Sequence, residues 1–134
     1  MVKKYLLDTN VLIALFTGKY GVQRSVFEHG LENCLVSELS LGELYVGAFK
    51  SNSAMVLEQI NYVKRVFEVL PFSDAAEEFG RIRAYLEKNG NRLEDMDLLL
   101  AATAVSHKLT LVTHNVRHFS RIPNLKVEDW FVTE

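Results

Sequence analysis

The chain has 134 residues, 49% hydrophobic and 24% charged, ordinary for a globular protein and long enough to bury a core without disulfide or metal staples. A net charge of −2 argues against a protein whose whole surface grips nucleic acid, so any such contact must come from local Lys and Arg clusters or through a bound cation. The single cysteine, Cys34, excludes an intrachain disulfide and a cysteine-based zinc site, and reads as a small buried residue of a protein in a reducing cytosol.

Lys3-Lys4 followed by Tyr5 to Phe16 has the outline of a signal peptide. Asp8 and Asn10 interrupt the apolar run, no small-residue cleavage pattern follows, and no stretch approaches the roughly 18 apolar residues of a membrane span. The expectation is a cytoplasmic protein with no membrane contact. The chain carries no repeat, low-complexity tract or Pro/Gly-rich linker, so residues 1–134 are read as one domain.

Tyr5-Leu6-Leu7 is a short apolar run that stops at Asp8-Thr9-Asn10 and predicts a buried strand. Val11 to Phe16 predicts an apolar helix stopped by Thr17-Gly18, and Val22 to His29 a second helix ending at Gly30. Cys34 to Val36 is the second strand, and Ser37 opens a helix to about Lys50. Ser53 caps a helix through about Phe67, with Met55, Ile60, Val63 and Phe67 at roughly helical spacing. Val69-Leu70 is the third strand, stopped by Pro71. From Ser73 a helix carries Phe79, Ile82, Tyr85 and Leu86 on one face and ends at Asn89-Gly90-Asn91. Leu98 to Val105 is apolar nearly all round and predicts a central, buried helix. Leu109 to Val112 is a fourth strand, and Leu125 to Val127 a weaker fifth.

Short apolar strands alternating with helices imply an α/β/α sandwich, a mostly parallel sheet covered on both faces. In such folds ligands bind beyond the carboxyl ends of the strands. The polar residues just after each strand therefore carry the functional interest: Asp8 to Asn10, Ser37 to Glu43, and Thr113 to Asn115.

Three carboxylates stand out. Asp8 directly follows the first strand, and taken alone it reads equally well as a helix N-cap. Glu43 completes a Ser40-x-x-Glu43 capping box, so for this residue alone a cap or a solvated glutamate is favoured, although Ser37 offers an earlier cap. Asp97 opens the most apolar helix; the helix dipole explains it as it explains Glu94 and Asp95, yet it stands where that helix emerges from the core. Together, three acids converging on one sheet edge would repel strongly unless protons or a cation intervene. Hard oxygen donors suit Mg²⁺ or Mn²⁺, which can grip a phosphodiester and lower the pKa of a water.

At these residues the chain resembles the PIN-domain family, specifically its VapC toxins. The resemblance rests on Leu6 to Ile13, Ser37 to Gly47, Asp97 to Ala104, Leu111 to Phe119 and Ile122 to Trp130, in order and with family-like spacing across nearly the whole chain. It implies a metal-dependent endoribonuclease, the toxin of a toxin–antitoxin pair, with Asp8, Glu43 and Asp97 as metal-binding catalytic acids and tRNA as one possible substrate. It also implies homodimers and an antitoxin that blocks the site. Asn10, Thr113, Asn115 and His118 are supporting candidates, Thr113 as a hydroxyl that holds an acid or a water. The family pattern has a fourth acid at the place of Asn115 or His118, and both are non-acidic here. His118 reads as a surface histidine ahead of a proton donor or phosphate contact. Arg24, Lys50, Arg92, Arg117 and Arg121 are candidates for RNA contact, with scattered solvation the default. Trp130 is expected over the sheet edge.

Phosphotransfer through Asp8 in the manner of haloacid-dehalogenase-like enzymes needs a second Asp where Asn10 stands. A receiver domain needs its Asp after a central strand, where Pro71-Phe72 follow Leu70 instead. The remaining alternative is a catalytically impaired PIN-fold protein that binds RNA or a protein without cleavage, and the missing fourth acid favours it.

Overall fold

The computed structural model describes residues 2–133. Five strands form one sheet in the order β3-β2-β1-β4-β5, every pairing parallel. They are β1 (Tyr5–Leu7), β2 (Cys34–Ser37), β3 (Glu68–Leu70), β4 (Thr110–Val112) and β5 (Val127–Glu128). Between them run α1 (Thr9–Thr17), α2 (Val22–His29), α3 (Glu38–Ser51), α4 (Ala54–Val66), α5 (Ala76–Lys88), α6 (Asp95–Ser106) and α7 (Val116–Phe119).

Alternation of side chains along each strand divides the core in two. Tyr5, Leu7, Cys34, Val36 and Val112 face α1 to α4, where Leu12, Val26, Leu44, Ile60 and Val63 meet them. Leu6, Leu35 and Leu111 face the other way, against Ile82 and Leu86 of α5 and the run Leu98 to Ala104 of α6. Both faces are thus covered, and α6 is the buried helix expected from its composition. No helix among the described residues is long and apolar enough to cross a membrane.

Most boundaries fall within two residues of those expected, and the differences have local causes. Helix α1 starts at Thr9 rather than Val11 because Asp8 is its N-cap, and it ends at Gly18, whose φ of +65° suits a left-handed cap. Ser73 to Ala75 form a single 3-10 turn with no side-chain cap, so α5 begins only at Ala76. The short α7 follows a run too brief to show helical periodicity, and β5 lies two residues later than expected. Met55 and Tyr85, expected on buried helix faces, are exposed, and Ile60 and Val63 of α4 and Ile82 and Leu86 of α5 are the residues that meet the core. Trp130 does not cover the sheet edge. It is buried, its ring stacks on His29 at 3.9 Å and meets Tyr5 of the central strand edge-on at 5.0 Å.

From β1 the chain winds outward through β2 to β3, then returns to β4 on the opposite side of β1. The carboxyl ends of β1 and β4 therefore flank a topological switch point, where a crevice opens in doubly wound sheets. Asp8 follows β1 there and Thr113 follows β4.

Candidate active site

Asp8 is tied into the sheet by its own backbone, whose N–H donates to the Val112 carbonyl at 2.9 Å. Its carboxylate is 7% exposed and fully engaged. Oδ1 accepts the Thr9 N–H at 2.7 Å, while Oδ2 accepts the Thr113 hydroxyl at 2.8 Å and Asn10 Nδ2 at 3.3 Å. Capping and clustering are thus not alternatives: one oxygen serves the helix and the other faces β4. Burial pushes the Asp8 pKa up against these hydrogen bonds, and the charges of Asp97 and Glu43 push it further. Asp8 thus feels the charge of two acids that lie up to 89 positions away in the chain.

Glu43 is not a capping-box residue. Ser37 caps α3 by accepting the Leu39 N–H at 3.1 Å, which leaves Ser40 inside the helix, buried and with its hydroxyl unpartnered. Glu43 Oε1 instead accepts the Thr9 hydroxyl at 2.7 Å, so the residue after Asp8 links α1 to α3. Asp97 sits in the first turn of α6, and its Oδ2 lies 2.9 Å from Nε2 of His118 on α7. His118 is therefore no free surface residue; its imidazole holds Asp97.

Asn10 and Thr113 organise the loop after β4. Asn10 Nδ2 lies 3.4 Å from Thr113 Oγ1, and Asn10 Oδ1 accepts the His114 N–H at 3.2 Å. Thr113 Oγ1 also accepts the Asn115 N–H at 3.0 Å. Asn115 thus joins the network through its backbone, with its side chain exposed.

Beside the acids opens a shallow groove of about 500 Å³ lined by His114, Asn115, Arg117, His118 and Arg121. Of the five candidate cations, Arg117 and Arg121 lie here. Arg24 pairs with Glu28 at 2.8 Å, Arg92 lines a separate crevice with Glu87 and Asp95, and Lys50 is exposed in the last turn of α3.

The donor set fits a hard divalent cation that keeps much of its water. Among the described residues no three acidic, imidazole or thiol side chains form a group that could by itself hold a metal ion. Mg²⁺ commonly needs no such group, since one or two carboxylates, waters and substrate phosphate complete its sphere. A groove lined by two guanidinium groups, joined to the acids through His118 and Asp97, is suited to positioning a phosphodiester for hydrolysis.

The PIN domain family model matches residues 5–125. The chain belongs to the PIN-domain family. Among relatives of this PIN domain, the tRNA(fMet)-specific endonuclease VapC of Salmonella typhimurium is 36% identical over 132 residues, covering 95% of this chain and 98% of that protein. Ribonuclease VapC2 of Haemophilus influenzae is 34% identical over 131 residues, with 95% and 98% covered. VapBC2 from Rickettsia felis bound to a promoter DNA fragment gives a TM-score of 0.84 at 28% identity, over 94% of this chain and 98% of that one. DNA-bound VapBC from Salmonella typhimurium gives 0.82 at 31% identity, with 96% and 98% covered.

Thr9 and His114 lie in segments that the sequence marks as polar strand ends, but no role for either is read from it. Thr9 joins Asp8 to Glu43, and His114 borders the groove. Thr9 had a usable signal, a hydroxyl directly beside the strand-end acid. The position of His114 depends on how the loop after β4 folds.

Proposed function

We propose that the chain is an endoribonuclease, the toxin of a toxin–antitoxin pair, which hydrolyses RNA phosphodiester bonds using Mg²⁺ or Mn²⁺ held by Asp8, Glu43 and Asp97. The observation that carries this reading is the set of hydrogen bonds at the β1/β4 switch point, Asp8 to Thr113, Glu43 to Thr9 and Asp97 to His118, beside a groove bordered by Arg117 and Arg121. Relatives named ribonuclease or tRNA endonuclease over nearly the full chain support the reaction class, and the tRNA specificity of one makes tRNA the first substrate to try.

When bound, the cation supplies Lewis acidity and a water of lowered pKa. The protein's own residues do the positioning. Thr113 and the Thr9 N–H fix the Asp8 carboxylate, the Thr9 hydroxyl orients Glu43, and His118 orients Asp97. Arg117 and Arg121 hold phosphate oxygens against the repulsion of the acids.

An antitoxin that blocks the site is part of the same reading. An apolar groove of about 310 Å³ bordered by Ile13, Phe16, Leu44, Met55 and Val56 reaches Glu43 at its rim, and Ile13 and Met55 are exposed there. A partner laying apolar side chains in this groove would lie beside the catalytic acids. Neighbours solved as VapBC complexes support such a partner. A single domain acting in the cytosol, pairing of two copies, and the supporting roles of Asn10, Asn115 and His118 complete the proposal.

A second reading, binding without cleavage, is favoured by the non-acidic Asn115 and His118. Purified, antitoxin-free protein incubated with total RNA decides between them. Discrete cleavage with Mg²⁺ or Mn²⁺, lost in EDTA and lost in Asp97→Asn, is expected. Folded protein that binds RNA but cuts none under either metal would establish the second reading.

A further inference from the structure

Three aromatic rings form a continuous stack at the edge of the groove. His114 lies on Phe131 with ring centroids 4.3 Å apart and planes 12° from parallel, and Phe131 lies on Tyr20 at 4.6 Å and 9°. Two parallel rings at such distances cannot share one face of Phe131, so Phe131 is the middle layer. The outward faces belong to His114 and Tyr20.

The stack is held rigidly. Asp129 Oδ2 lies 3.1 Å from His114 Nδ1, and its Oδ1 accepts the Phe131 N–H at 2.9 Å, so one carboxylate sets two rings. At the other end the Val132 N–H donates to the Tyr20 carbonyl at 2.7 Å. Tyr20 has a φ of +60°, a conformation that costs a bulky L-residue energy and persists only where the surroundings enforce it. Pinning the tail to the α1–α2 connection needs only Tyr20 and Phe131. His114 carries the stack further, toward the acids: its N–H donates to Asn10, which bonds Asp8, and its ring borders the groove of Arg117 and Arg121. Its side chain is 50% exposed.

We propose that the outer face of His114 is a stacking seat for one unpaired base of the RNA substrate, beside the phosphate that the acids and arginines engage. This rests on the ribonuclease reading above. Every base presents a π face, and single-stranded RNA is characteristically bound by splaying a base onto an aromatic or imidazole ring. A ring already fixed by Phe131 and Asp129 loses little freedom when a base lands on it. Neighbouring guanidinium groups suit the phosphates on either side of that base. The seat selects looped or single-stranded RNA, because a base in a duplex must first leave its partner.

The test uses short single-stranded RNAs carrying one 2-aminopurine, moved position by position, bound to the full chain in EDTA. Wild type is expected to quench the fluorescence at one position. His114→Ala should lose that quench and bind about tenfold more weakly, and His114→Phe, which keeps a stacking face, should restore both. With metal present, His114→Ala should raise KM with little change in kcat. Circular dichroism and thermal melting confirm that each variant folds. Equal quenching by wild type and His114→Ala, or failure of His114→Phe to restore it, overturns the seat while cleavage by wild type leaves the ribonuclease reading standing. If His114→Ala binds RNA normally but pairs poorly with the coexpressed antitoxin, the ring belongs to a protein interface and the seat is overturned. Wild type that neither binds nor cuts RNA overturns both readings.

Discussion

Asp8 is held in a position that opposes its own ionisation. Its folded pKa lies above the ordinary 3.8, through burial first and then the charges of Asp97 and Glu43. The native state therefore binds the proton more tightly than the unfolded chain, and the stability this contributes is fully present below the unfolded value. It is lost as pH rises through the folded one. Asp8→Asn removes that dependence. Between pH 4 and pH 7.5 without divalent cation, the melting temperature of Asp8→Asn should move upward relative to wild type. Adding Mg²⁺ should stabilise wild type and not the variant. Thermal melts across that pH range check the prediction, and a difference independent of pH would refute it.

At the scale of the element, α3 separates what sequence can say from what it cannot. The helix, its start at Ser37 and its apolar face were legible because they depend on neighbours a few residues apart. The capping-box reading of Ser40 and Glu43 also came from local spacing, and it was wrong because Ser37 had already begun the helix one turn earlier. What Glu43 does instead depends on Thr9, 34 positions away, and no local pattern encodes that. The same division holds for His118. Its partner Asp97 lies 21 positions back, on a helix brought alongside by the fold, so a surface histidine was the natural reading. The resemblance to PIN domains singled out the three acids as candidates, but the hydrogen bonds that orient them came only from the structure. Ser40 supplies a test. Its buried hydroxyl has no partner, and alanine is the better helix former, so Ser40→Ala should stabilise the protein by about 1 kcal/mol. Chemical denaturation measures it, and RNA cleavage should be unchanged because Glu43 keeps its bond to Thr9.

For the molecule as a whole, the two-faced sheet was the most legible feature, since runs such as Tyr5-Leu6-Leu7 belong to strands buried on both sides. Strand order was not legible, because every strand is apolar and composition does not distinguish neighbours. Cys34 reports on the integrity of this assembly. It lies in β2 beneath α1 to α4, and burial pushes its thiol up to about 12. The thiolate is therefore scarce at any physiological pH, and native protein at pH 8 should resist iodoacetamide for as long as it remains folded. Mass spectrometry of samples held in increasing urea should show alkylation rising along the unfolding curve; rapid modification without denaturant would mean that the sheet opens locally.

The placement of β4 beside β1 has a consequence in time. Thr113, which fixes the Asp8 carboxylate, follows Asp8 by 105 positions, and His118 comes later still. At about 5–20 residues per second, several seconds of translation pass during which the N-terminal half exists without the strand that completes the site. A nascent chain that has not yet formed β4 therefore lacks the hydroxyl that fixes the Asp8 carboxylate. The two halves of the site thus meet only when the last parallel strands join the sheet, and a chain broken before β4 lacks half of it.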